Sequence, residues 1–175
     1  GVDTDKLVEC HGHFRSASCT KCRAGADIED CMNIVFDNDV PICGRCSSVV
    51  KPDIAFFGED LPKRFEDFVD DDTEDCDLLI VIGTSLSVMP VAGIPQWVNP
   101  TCPRLLLNRE RVGNFGREQP HQPSQVGGIE GEVSIKRDVI EEGDCDDGVR
   151  RLCNLAGWDQ FLEEAHIYSK KINSL

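Results

Sequence analysis

The chain has 175 residues with 32 acidic against 18 basic side chains, giving a formal net charge of −14. That length suits one ordinary domain with a small annex, and no apolar run approaches the ~18 residues of a membrane span. With no cluster of Lys and Arg, the acidic balance excludes a general grip on phosphate backbones, so neither nucleic acid nor membrane is an expected partner.

Residues 1–14, GVDTDKLVECHGHF, hold a short apolar stretch and then a loop carrying His11 and His13 around Gly12. The chain opens on Gly with no cationic and apolar leader behind it, so its start reads as a cut end. A histidine in such a loop is a general base, a surface or core residue, or, beside cysteines, a metal ligand.

Ten cysteines fall at 10, 19, 22, 31, 43, 46, 76, 102, 145 and 153. Cys19-Thr-Lys-Cys22 and Cys43-Gly-Arg-Cys46 are C-x-x-C pairs 20 residues apart, and the other six stand singly. Four thiols in two tight pairs predict a structural zinc site, because each turn aims two sulfurs at one point. Redox dithiols or two disulfides are the alternative, although neither pair sits at a strand-to-helix junction of thioredoxin type. Four cysteines fill zinc's tetrahedral shell and free the histidines for other work. Residues 15–50 have little apolar periodicity and are expected to depend on the metal for a core. Six unpaired thiols predict a reducing, intracellular setting, with cytoplasm or nucleus ahead of mitochondrion.

In VKPDIAFFGE (50–59), Pro52 blocks helix and Gly58 ends the apolar run, which predicts a short extended segment. Residues 61–72 read as an acidic helix with Phe65, Phe68 and Val69 on one face. CDLLIVIG (76–83) reads as a strand covered on both faces, and RLLLN (104–108) as the next strand of a βαβ unit. Residues 112–132, rich in Gly, Pro, Gln and Glu, are expected to be a flexible surface insertion. Val149, Leu152, Cys153 and Ala156, stopped by Gly157, and then Trp158, Phe161, Leu162, Ala165, Tyr168 and Ile172 predict two closing amphipathic helices.

In an open α/β sheet, ligands sit beyond the carboxyl ends of the strands. Those positions are Gly83-Thr84-Ser85 and Asn108-Arg109-Glu110. The first offers amides and hydroxyls to a phosphate or ribose, and the second suits ribose hydroxyls; Gly-Thr-Ser would equally cap a helix.

His11-Gly12, the paired cysteines, Val50-Lys51-Pro52-Asp53 running into Phe56-Phe57-Gly58-Glu59, then Gly83-Thr84-Ser85-Leu86 and Asn108-Arg109-Glu110, in this order, resemble the sirtuins, NAD-dependent protein-lysine deacylases. LVEC-HGHF, VKPDIAFFGE and GDCD (143–146) look most like the class containing the cytoplasmic and mitochondrial mammalian deacetylases.

The resemblance implies an α/β fold: a Rossmann-like parallel sheet with a small four-cysteine zinc module. It divides the chain into a catalytic-loop segment (1–14), a zinc module (15–50) and the carboxyl-side part of an NAD-binding domain (51–175). It makes His11 the general base on the nicotinamide ribose hydroxyls, a task that suits an imidazole. The nucleophile comes from the acetyl-lysine substrate, and the products are free lysine, nicotinamide and O-acetyl-ADP-ribose. Gly83, Thr84 and Ser85 would face cofactor phosphates, Asn108, Arg109 and Glu110 the ribose, and Cys145 the adenine region. Ala55, Phe56, Phe57, Gly58 and Glu59, with Val88 opposite, would hold the acetyl-lysine peptide of a histone or non-histone protein as an added strand, with Phe56 walling the acyl tunnel; the two phenylalanines would equally serve as core. Cys19, Cys22, Cys43 and Cys46 would hold a structural zinc with no open position for water.

Three departures from the family pattern stand out. Cys10 and His13 replace the common Ala and Thr around His11. Ala55 stands where close relatives carry Val, and the smaller side chain is expected to widen the acyl site. The glycine-rich cofactor loop and the Q-N-I-D segment would lie upstream of residue 1, so the chain alone is expected to bind the cofactor weakly or not at all. The alternative function is then a catalytically silent, zinc-bearing interaction module.

Overall fold

The computed structural model describes residues 2–117 and 137–172, so most of the expected insertion, from 118 onward, lies outside the described residues. The chain divides into two units, one ending at Asp71 and the other starting at Asp72.

The first unit opens with a 3-10 turn, Thr4–Lys6, and is built on a sheet of order β2-β1-β3: β1 (Gly12–Cys19), β2 (Gly25–Ala26) and β3 (Val50–Ile54). Both pairings are antiparallel, and β1 meets β3 with Cys19 opposite Val50 and Gly12 opposite Ile54. Pro52 is tolerated because β3 is an edge strand, where one missing N–H breaks no central ladder. Between β2 and β3 lies α1 (Ile28–Phe36), a helix with no counterpart in the apolar pattern. Its start is fixed by Asp27, whose carboxylate accepts from the amides of Glu29 at 2.9 Å and Asp30 at 3.0 Å. The core is small: Ala17, Cys19, Cys31, Cys43 and Val50 are buried, with Ile28 and Cys46 packed against them. Two of the paired cysteines are thus core residues.

α2 (Lys63–Glu74) carries the chain into the second unit and starts two residues later than its expected position. Phe65 is buried, whereas Phe68 is exposed under the Arg64 guanidinium, 4.8 Å from the ring centre.

The second unit is a parallel sheet of order β4-β5-β6: β4 (Leu79–Ile82), β5 (Arg104–Asn108) and β6 (Asp138–Glu142). A 3-10 turn (Val91–Gly93) and the one-turn α3 (Ile94–Trp97) make the β4-to-β5 crossover. β5 is central and nearly all buried, which explains its unbroken apolar run. β4 differs from expectation: it starts at Leu79 and is an edge strand, with Val81 buried and Ile80 and Ile82 exposed among the described residues. Val81, Leu106 and Phe115 form the core, with Leu79, Leu86, Val112 and Ile140 against it. Val112 and Phe115 lie in the stretch expected to be an insertion, yet Phe115 is buried in the core and Val112 packs against it.

α4 (Cys145–Ala156) starts at an Asp144 cap, whose carboxylate accepts the Asp146 amide at 3.0 Å. It ends at Gly157, left-handed at φ 73°, where the Trp158 amide reaches back to the Cys153 carbonyl at 2.7 Å. α5 (Asp159–Ile172) follows, with Phe161, Ile167 and Tyr168 exposed rather than closing a core. No helix of the described residues is long and apolar enough to cross a membrane.

Candidate functional site

Cys19 ends β1, and Cys43 follows an isolated bridge between Ile42 and Val49. The two C-x-x-C turns share one geometry. Arg23 and Ser47, each following a second cysteine, take positive φ, 56° and 57°, and their amides bond the Cys19 and Cys43 carbonyls at 3.1 and 2.9 Å. The four Sγ atoms lie within 4.8 Å of one another, with Cys19 to Cys46 at 3.4 Å and Cys22 to Cys43 at 3.7 Å. Tetrahedral zinc with bonds of about 2.3 Å separates its sulfurs by about 3.8 Å, so donor set and spacing fit that ion. The amides of Lys21 and Cys22 point at Cys19 Sγ (3.4 and 3.5 Å), and that of Arg45 at Cys43 Sγ (3.4 Å), which favours thiolate. No disulfide is present among the described cysteines, and neither His11 nor His13 belongs to the cluster. A metal held by four thiolates is structural.

His11 sits in the turn before β1, exposed, with its carbonyl accepting the Ala55 amide at 3.0 Å. The next residue must be glycine: Gly12 has φ +73°, and a Cβ there would lie 2.1 Å from the Asp53 carbonyl oxygen. β3 and the His11 turn are thus pressed together. Ser16 in β1 donates to the Asp53 carboxylate, a second tie between the same segments. His13 is half-buried, and its Nδ1 has no hydrogen-bond partner. Glu9 pairs with Arg15, whose hydrogen bonds hold the Glu9 carboxyl below its usual range.

Beyond β3 the chain turns through Phe56–Glu59. Phe57 is 96% exposed and Phe56 55% exposed, so neither is core. The Glu59 carboxylate accepts the Phe56 amide at 2.9 Å and pairs with Lys51 Nζ at 3.1 Å, while that ammonium lies 4.8 Å from the Phe56 ring centre. These contacts, the Phe56 amide foremost, lower the Glu59 pKa. Lys51 was only one letter of a motif in the sequence; opposite charges flanking the Phe-Phe-Gly turn were the available signal.

In the second unit, most of the expected cofactor positions gather at the carboxyl ends of the strands. Gly83 leaves β4 with φ +61°, its amide bonding the Leu107 carbonyl at 3.1 Å. Cys145 Sγ reaches that same carbonyl at 3.4 Å, and a Cβ on Gly83 would lie 3.4 Å from the sulfur. Asn108 is buried; its carbonyl accepts the Gly143 amide and its Nδ2 donates to the Glu110 carbonyl, both at 2.9 Å. Thr84 Oγ1 accepts the Leu86 amide at 3.2 Å, and Ser85 and Ser87 share a hydrogen bond of 2.6 Å. Gly-Thr-Ser does not cap a helix, since α3 starts only at Ile94. Arg109 points to solvent, with Asp144 3.7 Å away, and Val88 is exposed along the loop after β4. Ser85 is exposed and Thr84 half-buried at this edge, beyond the carboxyl ends of the parallel strands, where open α/β sheets take their ligands.

The sequence profile of the Sir2 family matches residues 1–90. The chain is 39% identical over 164 residues to NAD-dependent protein deacetylase hst2 of Schizosaccharomyces pombe, covering 94% of this chain and 44% of that one. Against NAD-dependent protein deacetylase sirtuin-2 of Danio rerio the identity is 41% over 169 residues, with the same coverages. Against NAD-dependent protein deacetylase sirtuin-3 of Mus musculus it is 42% over 162 residues, covering 93% and 44%. The chain therefore belongs to the Sir2 family, the sirtuins, and spans under half the length of these relatives.

Proposed function

We propose that the chain is the catalytic-base, zinc and carboxyl-side portion of an NAD-dependent protein-lysine deacylase acting on acetylated histone or non-histone proteins in a reducing, intracellular compartment. One observation carries the reading: the His11 carbonyl is bonded to the Ala55 amide, which ties the turn bearing the exposed His11 to the start of the exposed 56–59 segment. A base and a peptide-binding strand would then be neighbours.

When bound, the dinucleotide supplies a ribose carbon bearing nicotinamide and a ribose hydroxyl that accepts the acyl group. His11 takes the proton from a ribose hydroxyl, and Gly12 keeps that imidazole at its turn. The Ala55–Glu59 segment would pair the substrate peptide as an added strand. Gly83, Thr84 and Ser85 would hold the dinucleotide's phosphates, Asn108, Arg109 and Glu110 its ribose, and Cys145 its adenine end. The zinc shapes the first unit and takes no part in the chemistry.

The test exchanges this chain for the matching half of the Danio rerio relative and measures nicotinamide release with an acetyl-lysine peptide. Release that depends on the peptide and disappears in His11→Ala is expected. A folded, zinc-loaded chimera that releases none would overturn the reading.

A further inference from the structure

Cys76 and Cys102 belong to neither the zinc cluster nor the strand-end site. They stand 26 positions apart, yet Cys102 Sγ lies 3.7 Å from Cys76 Sγ. The fold explains the meeting. Leu79 opposes Arg104 across the β4–β5 ladder, and the Leu79 amide bonds the Pro103 carbonyl at 3.0 Å, so both cysteines sit just before adjacent parallel strands. Neighbouring strands run about 4.8 Å apart, within the ~4.4–6.8 Å Cα separation that a disulfide spans. The two thiols differ in access: Cys102 is 3% exposed, whereas Cys76 is half-buried.

We propose that Cys76 and Cys102 are a dithiol modification site, converted to an intrachain disulfide by a low-molecular-weight disulfide such as oxidised glutathione. Cys76, the reachable sulfur, loses its proton and attacks one sulfur of the oxidant, expelling the other as a thiolate. Cys102 loses its proton and attacks Cys76 in the mixed disulfide, expelling the second thiolate. Two protein thiols become one protein disulfide, and one small disulfide becomes two small thiols. Because burial raises the Cys76 pKa, exchange is slow under mild conditions, and the pair stays reduced until the oxidant accumulates. The closed loop contains Gly83, Thr84, Ser85 and Val88, so the cross-link braces the β4-to-β5 segment at the end opposite the strand-end site. The chemistry is independent of the proposed deacylation.

The sequence makes the experiment direct. No Lys or Arg lies between Arg64 and Arg104, so trypsin leaves both cysteines, and no others, in one peptide. Reduced, zinc-loaded chain is treated with oxidised glutathione, alkylated, digested and weighed, while zinc release is followed with a chromogenic chelator. The expected product is residues 65–104 lighter by two hydrogens and closed to alkylation, before zinc is released. In Cys102→Ser the peptide should instead carry one glutathione on Cys76, and in Cys76→Ser it should stay unmodified. Wild-type peptide that remains fully alkylated, or carries glutathione without closing, would overturn the proposal. The wild-type result stands even if a variant fails to fold.

Discussion

Arg104 is the largest side chain fully enclosed in the second unit, 1% exposed, and each of its three guanidinium nitrogens donates a hydrogen bond. Its Nε and Nη2 donate to the two oxygens of Asp138 at 2.7 and 2.6 Å, while Nη1 serves the Pro95 carbonyl and Asn114 Oδ1. The ring of Phe115 lies 4.7 Å from the guanidinium carbon. Burial alone would raise the Asp138 pKa, but the Arg104 hydrogen bonds, the Gly116 amide and the nearby positive charges outweigh it, and the net shift is downward. A carboxyl with a folded pKa below its unfolded value stabilises fully above about pH 4, and the contribution is lost as pH falls through the folded pKa. Asp138→Asn leaves a buried guanidinium without its counter-charge and is expected to cost about 3–5 kcal/mol. Denaturant titrations of both proteins at pH 7 and at falling pH check this: the difference should be large at neutrality and shrink in acid. Equal midpoints at pH 7 would exclude a stabilising pair.

At the scale of elements, the turn after β3 is held by charge and not by packing. Lys51 lies within β3, Glu59 lies past the turn, and between them Phe57 has almost no contact to fix it. Lys51→Met should free the turn and raise the peptide KM several-fold in the chimera with little change in kcat, and Lys51→Arg should restore it. A fall in kcat at unchanged KM would place Lys51 in the chemistry instead. The opposite charges of Lys51 and Glu59 flank the turn in the sequence, but their pairing shows only once the turn's path is known. The same physics sorts the elements. β5 was legible because a strand buried on both faces is written as unbroken apolar residues; β6 was not, because Asp138, Glu141 and Glu142 spend its letters on charge. α1 escaped because Cys31 is its only buried residue, leaving the Asp27 cap as its one cue. The continuous run at β4 overstated its burial because an apolar letter does not say whether anything covers it. The zinc turns were legible because C-x-x-C carries its geometry locally; the convergence of Gly83, Asn108 and Cys145 on Leu107 and its neighbours followed only once the strand order was known.

Over the whole molecule, two separate cores make two different demands. The core cluster of the first unit has five buried residues, of which Cys19 and Cys43 are metal-site thiols, whereas the second is centred on Val81, Leu106 and Phe115. Without metal, the first core keeps sulfurs that repel one another as thiolates and loses the bonds that join its two turns; the second loses nothing. Zinc binding in such a module is largely folding free energy. A strong chelator should therefore abolish hydrogen-exchange protection across β1 and β3 while β5 stays protected, and zinc should restore it. Loss of protection in both sheets together would mean that the cores unfold as one cooperative body. Unchanged protection in β1 would mean that Ala17, Cys31 and Val50 suffice as a core. The acidic surface sharpens the contrast, since 32 carboxylates against 18 cations penalise any expanded, metal-free state least at low salt, where repulsion favours the open chain. Chelation at low ionic strength should thus unfold the first unit at a lower chelator concentration than chelation at high ionic strength.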